Sequence, residues 1–226
     1  MSRCVPLLGT VLVLAIGPAT ALAGPADEAS TRSYARADLA LVQYAAARLG
    51  TAEKLLQGVL KKARAECPMA AAESPQNPES TMVSNEIIGA MVLAAYHAAL
   101  PQITAFVRAT SRLSWSNRAL TRGVRSYAAK LRTLSVLKAP DLCYDIHGWR
   151  ASGYTKLPPA TIAFNQQFVP AWVAIGEVPP QLFKYASADA RSTLRRASGL
   201  EAKLADFEAH AVQTYADIMN TLGVSP

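Results

Sequence analysis

This chain of 226 residues lacks the motifs of the familiar enzyme classes. Its three histidines, His97, His147 and His210, belong neither to a His-Glu-x-x-His zinc motif nor to the Glu-x-x-His pattern of a di-iron bundle. There is no Cys-x-x-Cys-His haem attachment, no glycine-rich phosphate loop and no Gly-x-Ser-x-Gly elbow. These absences argue against zinc hydrolases, c-type cytochromes, nucleotide-binding enzymes and serine hydrolases. An enzyme without a recognisable motif, its site assembled from distant residues, stays open. Alternating strand patterns and internal repeats are missing as well, which points to an all-α fold. Cysteine is scarce, with three residues, and so is charge, at 17%.

What is present begins with an export signal. Arg3 is followed by an apolar run from Cys4 to Ile16, and Ala21-Leu22-Ala23 places small side chains where a signal peptidase reads. Residues 1–23 are therefore expected to be a cleaved secretory signal, with residues 24–226 a single helical domain that is secreted or extracytoplasmic. Losing the signal removes Arg3 and Cys4. That leaves a net charge of +6 and only two cysteines, Cys67 and Cys143. In an oxidising compartment the two are expected to form a disulfide, which would stabilise the fold by about 4 kcal/mol in the chain-entropy picture.

Four long helices are expected. The first covers about 31–66, with Leu39, Val42, Ala46, Leu49, Leu56, Leu60 and Ala63 as its apolar stripe and Gly50 as a weak point. The second runs from Pro78 to about Arg112 and carries 21 uncharged residues from Ile87 to Val107. His97, Pro101 and Gln102 make it a buried helix and not a membrane span, and Pro101 should kink or split it. The third spans about 117–137, with Ser116 as its expected cap and a seam of Leu120, Val124, Tyr127, Leu131 and Leu134. The last runs from Ser187, also read as a cap, to about Leu222, with a possible restart at Ser198-Gly199. Between the third and last helices, residues 140–186 hold half of the 16 aromatics, and prolines punctuate short helices there. The expected architecture is an antiparallel, up-down-up-down four-helix bundle with this extra segment packed alongside. In that order Cys67 and Cys143 share a pole.

Three features could carry function. Arg118, Arg122, Arg125 and Arg132 align on the third helix, within a stretch from Ile87 to Pro140 that has no acidic residue. Such a row suits an anionic envelope polymer or lipid surface. It could equally be a solvated face neutralised by Glu201, Asp206 and Glu208. No nucleic-acid-reading motif accompanies it, which argues against that partner. Trp149, Phe164, Phe168 and Trp172 could wall an apolar pocket or simply fill a core. His97, beside Tyr96 and Met91, could ligate haem or could bond a backbone carbonyl as a core histidine. Asp141, Cys143, Asp145 and His147 could hold a metal only if Cys143 were not consumed by the disulfide. These features indicate a non-catalytic binding or interaction protein at the cell envelope, with no assigned catalytic residue, metal or cofactor. The alternative is a carrier of a hydrophobic ligand or haem.

Overall fold

The computed structural model describes residues 24–66, 89–90, 92–139, 159–173 and 181–221. Every regular element among them is a helix. The signal segment, both cysteines, Trp149 and the stretch from Asp141 to His147 lie outside the described residues, as does the side chain of Trp172.

Helix α1 (Pro25–Ala46) starts where its chemistry directs. Gly24 is an extended N-cap, Pro25 supplies a preset φ at the first position, and Asp27 and Glu28 place acids at the positive end of the helix dipole. Its buried face is Asp27, Thr31, Tyr34, Ala35, Asp38, Leu41 and Val42, a helical stripe with three polar members. The expected single helix over 31–66 is broken at Ala47–Arg48. There the Arg48 N–H bonds the Ala45 carbonyl at 2.9 Å, a tightened turn, and the Arg48 guanidinium lies 3.3 Å from the centroid of the Tyr44 ring. Helix α2 (Leu49–Glu66) then restarts, with Gly50 in its first turn.

Helix α3 (92–98) and helix α4 (Leu100–Thr110) are separated at Ala99. Pro101 has no N–H to give to the His97 carbonyl, so the ladder cannot run through. Ala99 instead shares its N–H between the Ala95 and Tyr96 carbonyls, at 3.2 Å each. Helix α5 (Arg118–Val136) is capped by Asn117, whose Oδ1 accepts from the N–H groups of Ala119 and Leu120 at 3.0 and 3.3 Å. Ser116, the residue expected to cap it, is committed elsewhere. Its N–H and Oγ both donate to the carboxylate of buried Asp27. Around that contact Trp115 Nε1 donates to Thr31 Oγ1 at 2.9 Å, and the Trp115 N–H donates to Thr121 Oγ1 at 2.9 Å. A buried polar knot thus ties the start of α1 to the turn that launches α5.

Helix α6 (Pro159–Val173) begins at a proline and contains Pro170. A short helix α7 (Leu182–Tyr185) follows, and then the long α8 (Ala188–Thr221). Ser187 accepts the first helical bond of α8 through its carbonyl, from Arg191 N–H at 2.8 Å. Its hydroxyl is buried without a partner, so the side-chain cap expected there is not made. Helix α8 passes Gly199 without restarting.

Helix α1 packs most extensively on α8 and next on α4; α4 packs on α5, and α5 on α6. The core joins these layers through Phe106, which meets Tyr34 and Tyr127 edge-on at 5.7 and 5.9 Å between ring centroids. Such pairs add about 0.5–1.5 kcal/mol each beyond the area they bury. No described helix is long and apolar enough to cross a membrane.

Candidate functional site: an apolar cavity with an acidic side

Helices α1, α3, α4, α5 and α8 line a half-open cavity of about 320 Å³. Each helix contributes at helical spacing: Leu41, Val42 and Ala45; Ala95 and Tyr96; Ala99 and Ile103; Tyr127 and Leu131; and Glu201, Leu204, Ala205 and Glu208. Alanines from three of the helices and the break at Ala99 leave the space open. A cavity of about 150 Å³ lined by aliphatic residues holds benzene, so this one has room for a larger apolar body.

The polar members of the lining are all acids or phenols. Glu201 and Glu208 lie seven residues apart on one face of α8, about 10 Å along its axis. The Tyr96 hydroxyl donates to Glu208 Oε1 at 2.8 Å. Burial, and then the neighbouring Glu208, hold the Tyr96 phenol well above its ordinary pKa. Burial also raises the pKa of Glu201. Tyr127 is pushed upward by burial first and then by the charges of Asp38, Glu201 and Glu208.

One turn before Leu41 and Val42, on the same face of α1, sits Asp38. It is 3% exposed, and its Oδ1 has no hydrogen-bond partner. Burial and then the charge of Glu201 push its pKa up to about 8. A further turn back, Tyr34 is fully buried with its hydroxyl likewise unpartnered, and burial and then Asp38 raise its pKa. Among the described residues no lysine, arginine or histidine lines the cavity. Among the described residues no group of three or more His, Cys, Asp or Glu side chains could hold a metal ion.

The residues singled out from sequence lie elsewhere. Arg118, Arg122, Arg125 and Arg132 are all exposed on α5, and none forms an ion pair with a described acid. Phe164 and Phe168 are buried in the core, stacked at 5.2 Å between centroids, and neither lines the cavity. They press on Gly89, where a Cβ would stand 2.6 Å from the Phe164 ring. His97 is exposed, and its Nε2 lies 2.8 Å from the Leu137 carbonyl oxygen. Sequence reasoning missed Asp38, Glu201 and Glu208. Their signal was an acid set among apolar residues at core spacing, as in Tyr34, Asp38, Leu41 and Val42.

No protein-family model, curated protein or solved structure matches the chain.

Proposed function

We propose that this is a non-catalytic binding protein of the cell envelope, exported by residues 1–23, that seats a small and largely apolar ligand in the cavity between α1, α3, α4, α5 and α8. The observation that carries this reading is the cavity itself: about 320 Å³ of space, walled mainly by aliphatic and aromatic side chains, where five helices meet. Close packing is the rule in protein interiors, and open apolar space forfeits contacts that a stable fold would otherwise make. The disulfide between Cys67 and Cys143 and the up-down-up-down order of the long helices complete this picture.

Isothermal titration calorimetry with 4-phenyl-1-butanol, a neutral ligand of suitable size, tests the reading. Saturable binding is expected. Ala99→Leu, which fills the cavity from the break between α3 and α4, should abolish it while the helical circular dichroism persists. Absence of binding to the unmodified protein would refute the cavity as a ligand seat.

A second contact surface is favoured by one observation. Arg118, Arg122, Arg125 and Arg132 are exposed without partners among the described acids, while Glu201 and Glu208 line the cavity. The row suits an anionic envelope polymer or a lipid surface.

A further inference from the structure

We infer that the ligand of this cavity is an organic cation, a protonated amine on an apolar body, whose ammonium group sits against Glu201 with the Asp38 carboxyl behind it. The inference rests on the cavity being a ligand seat and names the chemistry of what fills it.

The first argument is composition. Every ionisable group in the lining is an acid or a phenol: Tyr96 from α3, Tyr127 from α5, and Glu201 and Glu208 from α8. Asp38 and Tyr34 stand behind them on α1, and α4 adds no titratable group to the lining. A purely neutral apolar ligand would need none of these carboxyls, and that of Asp38, whose Oδ1 has no partner, is costly to bury so. An anionic ligand would meet like charge in a poorly screened site. A bare metal ion fits poorly, because the described residues supply no cluster of three metal-ligating side chains.

The second argument is independent of the count of acids. Asp38 Oδ1 and Tyr34 Oη are both more than nine-tenths buried and have no partner. They lie on the α1 face that continues into the lining residues Leu41 and Val42. Among the described residues Glu201 has no cationic partner either. An ammonium group offers three donors and a positive charge, the complement this side of the cavity lacks. The faces of Tyr96 and Tyr127 suit a cation as well.

A protonic consequence follows. Without a ligand, Asp38 keeps a proton to about pH 8 because burial and Glu201 disfavour its charge. A cation entering the site reverses that balance, so the carboxyls ionise and a proton leaves to solvent. Tyr34, Tyr96 and Tyr127 are held too high to contribute near neutrality.

The test compares three ligands on one scaffold by calorimetry at pH 7: 4-phenyl-1-butylamine, 4-phenyl-1-butanol and 4-phenylbutanoate. The amine is expected to bind at least tenfold more tightly than the alcohol, and the acid not measurably. Binding heats of the amine should differ between phosphate and Tris buffers, reporting proton release, while those of the alcohol should not. Glu201→Gln should cost the amine at least tenfold more than it costs the alcohol, with the helical circular dichroism of the parent retained. Asp38→Asn should remove most of the released proton. Equal affinity for amine and alcohol, or an amine preference that survives Glu201→Gln, would overturn the inference and leave the cavity reading standing. Failure of all three ligands to bind would overturn both.

Discussion

Replacing Asp38 with asparagine should stabilise the protein at neutral pH and should not do so in acid. The group is held at a pKa of about 8 by burial and then by Glu201, against an ordinary value of 3.8. Between those values the folded state keeps a proton that the unfolded chain has released. Stability is then fully present below about pH 4, falls as pH rises, and has lost the whole contribution above about pH 8. The slope can reach about 1.4 kcal/mol per pH unit, which amounts to about 4 kcal/mol by pH 7. Asparagine has nearly the same shape and carries no charge in either state, so it escapes this cost. It brings instead a second buried donor group, worth about 1–3 kcal/mol if left unpaired. The net gain at pH 7 should be about 1–3 kcal/mol, shrinking to nothing or reversing near pH 4. Urea denaturation of both proteins at half-unit pH intervals from 4 to 8 measures it. The quantity to follow is the difference between variant and parent, because the other buried acids act on both. A difference independent of pH would refute the reasoning and show that Asp38 ionises normally inside the fold.

Gly89→Ala places a methyl 2.6 Å from the ring of buried Phe164, which is itself stacked on Phe168. The overpacking cost of about 1–3 kcal/mol should exceed the helix-propensity gain of at most about 1 kcal/mol, and Phe164→Leu in the same chain should recover much of the loss, read by thermal denaturation. Asp27→Ala leaves the Ser116 N–H and hydroxyl without their acceptor and should cost about 2 kcal/mol in chemical denaturation, whereas Ser116→Ala should cost less because the Asp27 carboxylate keeps the backbone donor. Charge reversal at Arg122 and Arg125 should weaken co-sedimentation with anionic vesicles without altering the fold, and added salt should weaken that of the parent; binding indifferent to salt would remove the arginine row from consideration.

Much of the fold was legible because helix ends are written in local chemistry. Pro101 in the apolar stretch and Pro159 each act on the backbone within one turn, whereas the start of α1 at Pro25, six residues before the expected Thr31, was not read. The helical seam of Leu120, Val124, Leu131 and Leu134 is buried as its spacing implies. Competition between neighbouring polar residues was not legible. Ser116 and Asn117 are both good caps, and only the distant Asp27 decides which is free to serve. The break at Ala47–Arg48 carries no proline, and Gly50 marks only its vicinity. The site was hidden for a related reason. Taking Leu39 and Ala46 as the inward stripe of α1 turns Asp38 outward, whereas the buried face is centred on Tyr34, Asp38, Leu41 and Val42. Glu201 and Glu208 read naturally as counter-ions for exposed arginines. Their place in the cavity depends on how α8 rotates against four other helices, and no single segment encodes that.

The largest contact of α1 is with α8, the last described helix, and at its polar end Asp27 and Thr31 bond residues 84 to 89 positions further along the chain. The first helix is therefore synthesised long before anything it packs against. The Asp27 carboxylate meets Ser116 only once the turn before α5 has been made. Contacts of such separation form slowly, because the intervening chain must be ordered before they count. A chain built this way cannot complete its core until nearly all of it has emerged. Once closed, it holds its earliest and latest helices side by side, so removing either one strips the other of its principal partner.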